Sequence, residues 1–154
     1  MGQQQLLLVI LVTIIVGIAT VVAINTFSSA ADSANVDAVR NDLLSMASTA
    51  QGFYMKPDMM GGGSNSFDNT NGSAIGIGDI GCTGDISGTD CVNENGTYSI
   101  SSTSENSFDI TGKPASAGGN IVITVCADDA AISDYAADGS ASAPGASECS
   151  SSSS

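Results

Sequence analysis

Catalysis needs side chains that attack, move protons or hold metals, and this sequence has few of them. It contains no His and no Trp, and its only basic residues are Arg40, Lys56 and Lys113. A Ser-His-Asp or Cys-His nucleophile cannot be built from that set, and a Cys-x-x-Cys-His haem attachment is absent. The chain is therefore expected to be no enzyme and to carry no cofactor. Two carboxylate groups, Asp79, Asp85, Asp90 and Glu94, and Asp128, Asp129, Asp134 and Asp138, could offer oxygen ligands to calcium. Neither has EF-hand spacing, so solvated loops are the expected reading and no metal site is assigned. Gly61-Gly62-Gly63 is no phosphate cradle, because no Gly-Lys-Ser/Thr follows it. Asn71-Gly72-Ser73 and Asn95-Gly96-Thr97 match the glycosylation acceptor pattern, which makes Asn71 and Asn95 candidates, although Asn-Gly is equally a tight-turn signal.

The remaining reactive atoms are sulfurs. Four cysteines without histidine and without a Cys-x-x-Cys spacing read as two disulfides in an oxidising compartment, outside the cytoplasm. The net charge of −13 would repel nucleic-acid phosphates, so no nucleic-acid partner is expected.

The element around which everything else must be arranged is the N-terminal run Leu6–Ile24. It is nineteen residues long, has no charge before Asp32, and is broken only by Thr13, Gly17 and Thr20 among the non-aliphatic types. As a helix it would be about 28 Å long, the thickness of a bilayer's hydrocarbon. Its fourteen Leu, Ile and Val side chains would each gain on the order of 1.5–3 kcal/mol by leaving water. Lipid, a signal peptide's passage, or the axis of a polymer could each bury such a rod. The uncharged start Met1-Gly2-Gln3-Gln4-Gln5 and the length of the apolar run argue against a signal peptide.

Met1-Gly2-Gln3-Gln4-Gln5-Leu6-Leu7-Leu8-Val9-Ile10 and its aliphatic continuation resemble the mature N-terminus of a type IV pilin. The resemblance implies that prepilin peptidase cleaves before Met1, that Met1 is the methylated N-terminal residue, and that the filament core is assembled through Gln5, Leu6, Leu7, Leu8, Val9, Ile10, Ile14, Gly17 and Ile18. It implies storage in the inner membrane, then assembly by the pilus machinery into a helical homopolymer on the cell surface, serving adhesion, surface motility or biofilm cohesion. A pseudopilin of a type II secretion system and a membrane-anchored extracytoplasmic binding protein are the alternatives. Two departures stand out: Gln5 occupies the position of the family's glutamate and offers no ion pair to a terminal amine, and Val22 stands where a proline is common.

Past the rod, Val36, Val39, Leu43, Met46, Ala47, Ala50, Phe53 and Tyr54 recur at three-and-four spacing. The opposite face carries Asp32, Asp37, Arg40, Asn41 and Asp42. One helix from about Gln3 to Met55 is predicted, ended by Lys56-Pro57 because proline disfavours α conformation in the residue before it. The β-branched, Gly17-containing stretch from Thr13 to Val22 is expected to lose helix locally in an assembled polymer. Residues 59–66 read as a flexible linker. Alternation at Tyr98 and Ile100, at Phe108 and Ile110, and at Ile121, Ile123 and Val125 predicts a three-stranded antiparallel meander with turns at 103–106 and 113–119. Residues 74–80 are either an edge strand or a packed loop. The predicted fold is thus α+β and pilin-like: a rod (1–28), the amphipathic half of the same helix (29–56), and a small β-rich head (57–154) on which that half packs. After Cys126 the chain is too polar to hold itself down, and a crosslink is the natural restraint. Of the three pairings four cysteines permit, Cys126–Cys149 is expected, similar to the disulfide-bounded region of many pilins, with Cys82–Cys91 closing a small loop.

Overall fold

A computed structural model describes residues 2–68, 74–145 and 147. Helix α1 spans Gly2–Met55, and a 3-10 turn follows at Asp58–Met60. The chain divides within α1 into two units, Met1–Ala34 and Asn35–Ser154. The first unit is helix alone, and every described apolar side chain in it is exposed.

The second unit joins the remainder of α1 to one antiparallel sheet. Its strands are β1 (Asp85–Ser87), β2 (Asp90–Val92), β3 (Gly96–Ser101), β4 (Ser107–Pro114), β5 (Ile121–Cys126) and β6 (Ala130–Ile132), ordered β1-β2-β3-β4-β5-β6. This is the α+β arrangement expected, but with six strands where a three-stranded meander was predicted. The meander is present as β3, β4 and β5, in register through Ile100↔Ile110 and Ile110↔Ile123. The three strands missed have three residues each, too few for a period-two pattern to emerge. The β1–β2 hairpin did leave a trace in the sequence. Ser87 pairs with Asp90, so Gly88-Thr89 is a two-residue turn, and Gly88 has φ 67°, a value that suits glycine at that first turn position.

The helix meets the sheet through the predicted stripe: Val39, Leu43, Met46, Ala47, Ala50 and Phe53 are buried, together with Tyr98, Phe108, Ile110, Ile121, Ile123 and Val125. Contact is close over β4, where Gly112 lies between its neighbours Tyr98 and Ile121. A Cβ there would come within 2.9 Å of Val39 Cγ1 and 3.1 Å of Leu43 Cδ1, both on fully buried side chains. Gly112→Val is therefore expected to cost about 2 kcal/mol through overpacking, although valine is the better strand former. A lowered denaturant midpoint at unchanged slope would report it, and an unchanged midpoint would show that helix and sheet are not in tight contact there.

Residues 59–66, expected to be a flexible linker, cap the helix instead. The amides of Gly63, Asn65 and Ser64 donate to the carbonyls of Phe53, Tyr54 and Lys56, each at 2.9 Å. A helix end leaves such carbonyls without partners, so the glycine-rich chain that turns back satisfies them. Phe67 then enters the core and packs at a tilt between Tyr54 and Phe108, with both ring-centroid distances 4.9 Å. Residues 74–80 are a packed loop whose Ile75, Ile77 and Ile80 are buried.

The turn expected at 113–119 is shorter, because β4 takes in Lys113 and Pro114 by pairing with Thr97 and Gly96. The chain after Cys126 is also held by more than a crosslink. Strand β6 pairs with β5, the Tyr135 hydroxyl donates to the carbonyls of Ala117 and Gly118, and the side chain of Asn120 is bonded both ways to the backbone of Ala141. Polar groups supply these ties, which apolar periodicity does not register. A disulfide joins Cys82 to Cys91, the buried middle residue of β2. Cys126 is buried and disulfide-bonded, while its expected partner Cys149 lies outside the described residues.

Candidate functional site

The residues singled out for assembly, Gln5, Leu6, Leu7, Leu8, Val9, Ile10, Ile14, Gly17 and Ile18, all stand on the helical first unit. Helical spacing places Leu7, Ile10, Ile14 and Ile18 along one side, and Leu6, Ile10, Thr13 and Gly17 along an adjoining one. No atom approaches within 4 Å of a Cβ built on Gly17, so that side carries a shallow notch. The aliphatic side chains from Leu6 to Ile24 are between 47% and 68% exposed, and Phe27 is 78% exposed. Among the described residues, α1 is the one helix long and apolar enough to cross a membrane, and its apolar window is 0% buried. Met1 lies outside the described residues.

Hydroxyls within this surface are already satisfied. Thr13 donates to the Ile10 carbonyl at 2.8 Å, Thr20 to Val16 at 2.8 Å, and Thr26 to Val22 at 2.9 Å. An apolar host therefore meets no orphaned donor at these three positions, which removes the usual cost of placing a hydroxyl in hydrocarbon. In the single chain the helix is unbroken from Thr13 to Val22.

The second unit carries a polar node that sequence reasoning misplaced. By helical periodicity Asp42 belongs to the face opposite the apolar stripe. Its Oδ2 instead accepts hydrogen bonds from Tyr98 Oη at 2.7 Å, Asn95 Nδ2 at 2.8 Å and Asn93 Nδ2 at 2.9 Å. Asn93 Oδ1 accepts from the amides of Asn95 and Gly96, which shapes the β2–β3 turn, and Asn35 Nδ2 donates to the Asn95 carbonyl. One carboxylate thus fixes helix, turn and sheet. The signal available in the sequence was the Asn-x-Asn-Gly run at the turn, whose amides need acceptors. The amide of Asn95, the glycosylation candidate, is committed to Asp42. Asn71 lies outside the described residues.

Burial works against the Asp42 charge, but the bonds from Asn95, Tyr98 and Asn93 outweigh it and hold the carboxyl below its ordinary value. Burial first, then the bond to Asp42 and its charge, push the Tyr98 phenol up. For Asp42, whose folded value is depressed, the linked stability is full above the unfolded value of 3.8 and is lost as pH falls through the lower folded one. For Tyr98, whose folded value is raised, it is full below 10.0 and lost as pH rises further. The melting temperature of the native chain should consequently fall more steeply below about pH 4 than that of Asp42→Asn, which has no charge there to lose. Parallel acid limbs would contradict the node.

Beside it runs an open cleft lined by Thr83, Gly84, Asp85, Val92, Asn93, Glu94 and Asn95. Its two amides are occupied within the node. Three further carboxylates of the two acidic groups serve loops: Asp79 accepts from the Gly76 amide, Asp129 from the Ala130 amide, and Asp138 from Ser140. Among the described residues no three His, Cys, Asp or Glu side chains gather where they could hold a metal ion.

The geometry thus offers an exposed apolar helix and a small antiparallel sheet stapled by a disulfide, an arrangement compatible with a pilin-like fold. Comparison of the chain with protein-family models, curated proteins and solved structures finds no match.

Proposed function

We propose that this protein is a structural subunit that polymerises into an extracellular, type IV pilus-like filament. Before assembly, the first part of α1 holds the subunit in the membrane. The observation that carries the reading is the apolar run of α1, with none of its window buried. A surface of this kind is unstable in water by tens of kcal/mol in gross terms, roughly the fourteen aliphatic side chains at 1.5–3 kcal/mol each. Moving from lipid to a bundle of identical rods exchanges one apolar surrounding for another, so assembly need not meet the cost of exposure to water.

The resemblance of residues 1–24 to a mature pilin N-terminus adds direction, and the Cys82–Cys91 disulfide fits a head that lives outside the cytoplasm. In the fibre the acidic second units would coat the outside, where mutual repulsion keeps the polymer soluble. Adhesion, motility or biofilm cohesion would then be properties of the polymer rather than of the subunit.

Negative-stain imaging of sheared cell surfaces, with and without the gene, tests the proposal. Long fibres that vanish on deletion and return with the gene are expected. Fibres only on overexpression would indicate the secretion pseudopilin, and none under any condition a membrane-anchored monomer.

A further inference from the structure

Three of the chain's five methionines stand together where α1 ends: Met55 is its last residue, and Met59 and Met60 lie in the 3-10 turn. They are 71%, 99% and 67% exposed, whereas Met46, inside the helix–sheet core, is 3% exposed. None of the three belongs to the core. The backbone beneath them is held without their side chains, by Met60 N donating to the Pro57 carbonyl at 3.0 Å, Gly61 N to Asp58 at 2.8 Å and Gly63 N to Phe53 at 2.9 Å. Among the described residues there is no free thiol. The thioethers are therefore the sulfur atoms that an oxidant in solution meets first, and access governs which of them react.

We propose that Met55, Met59 and Met60 form an oxidation site, at which hydroperoxides convert exposed thioethers to sulfoxides while the second unit stays folded. In each step the methionine sulfur attacks the terminal peroxide oxygen, the O–O bond breaks as the S–O bond forms, and the proton of the transferred hydroxyl passes, through water, to the departing oxygen. With hydrogen peroxide the products are a sulfoxide and water; sulfur is oxidised by two electrons and the peroxide is reduced by two. A flexible apolar patch becomes polar, and the change is reversible by enzymes of the methionine sulfoxide reductase class. Met46 is spared because reaching it requires the helix to leave the sheet. The reaction requires no polymerisation of the chain.

The test treats the full-length chain in detergent with dilute hydrogen peroxide and follows each methionine by peptide mass spectrometry, with Met1 read on its own peptide. Met55, Met59 and Met60 are expected to gain one oxygen each at the rate of free methionine, Met46 at least about tenfold more slowly, and the melting temperature to stay unchanged. The triple variant Met55→Leu, Met59→Leu, Met60→Leu should melt as the native chain does and lose the fast phase from its head peptides. Oxidation of Met46 as fast as the others, protection of the three by tenfold or more, or a lowered melting temperature once only they are oxidised would each overturn the proposal.

Discussion

The double substitution Ile14→Asp, Ile18→Asp is expected to release the chain from the membrane fraction and abolish any fibre. Each aspartate at the centre of a membrane helix costs about 2.5–3.5 kcal/mol, and each lost isoleucine forfeits a further 0.3–0.6, so the pair costs roughly 6–8 kcal/mol. Fourteen aliphatic side chains at the same 0.3–0.6 each supply about 4–8 kcal/mol of net insertion free energy. The substitution therefore cancels the drive rather than trimming it. The head provides the internal control: the second unit has its own core, and Val36 is the earliest described apolar side chain packed against it. Disulfide formation and melting of the second unit should stay native in the variant, while Ile14→Val, Ile18→Val should behave as wild type. Cell fractionation measures the outcome. A charged variant that remains in the membrane pellet, or that forms fibres in normal yield, would show that these positions face neither lipid nor neighbouring rods.

The second large effect is in the head. Asp42→Ala removes the acceptor of three hydrogen bonds. Asn93 and Asn95 are half-buried and can turn to water, but Tyr98 is fully buried and its hydroxyl cannot. A buried donor left without a partner costs about 1–3 kcal/mol, and bonds to a charged group contribute about 1.5–3 kcal/mol, so a loss of about 3 kcal/mol is expected. Chemical denaturation checks it. Tyr98→Phe removes the stranded hydroxyl, so the double variant Asp42→Ala, Tyr98→Phe should be appreciably more stable than the sum of the two single losses allows. Simple additivity would mean that Asp42 and Tyr98 do not act as a unit.

What was legible in the sequence, and what was not, follows from the range of the interactions involved. The helix could be read because its burial repeats every three or four residues from Val39 to Phe53, and its end because Pro57 acts on its immediate neighbour. β3, β4 and β5 could be read because each is long enough to alternate. β1, β2 and β6 carry no period in three residues each, so alternation could not show them, and the Gly88-Thr89 turn was the one trace of the first two. Asp42 was misplaced for a related reason. Periodicity treats a carboxylate as solvent-facing, whereas here three donors arriving from 51 to 56 residues away make the half-buried position tolerable. The stretch 59–66 reads as a linker on its glycines, yet those glycines let the chain turn back onto the helix carbonyls. The rod was the most legible element of all, because its meaning lies in its composition: fourteen Leu, Ile and Val side chains between residues 6 and 24.

The most direct test of the central claim is peptide mass spectrometry of fibres sheared from the cell surface and purified away from membrane. This polypeptide is expected to be the main component, with peptides covering the apolar run 6–24 recovered in the same yield as peptides of the sheet. Fibres that lack the polypeptide, or a fibre-borne form from which residues 1–30 are missing, would contradict it.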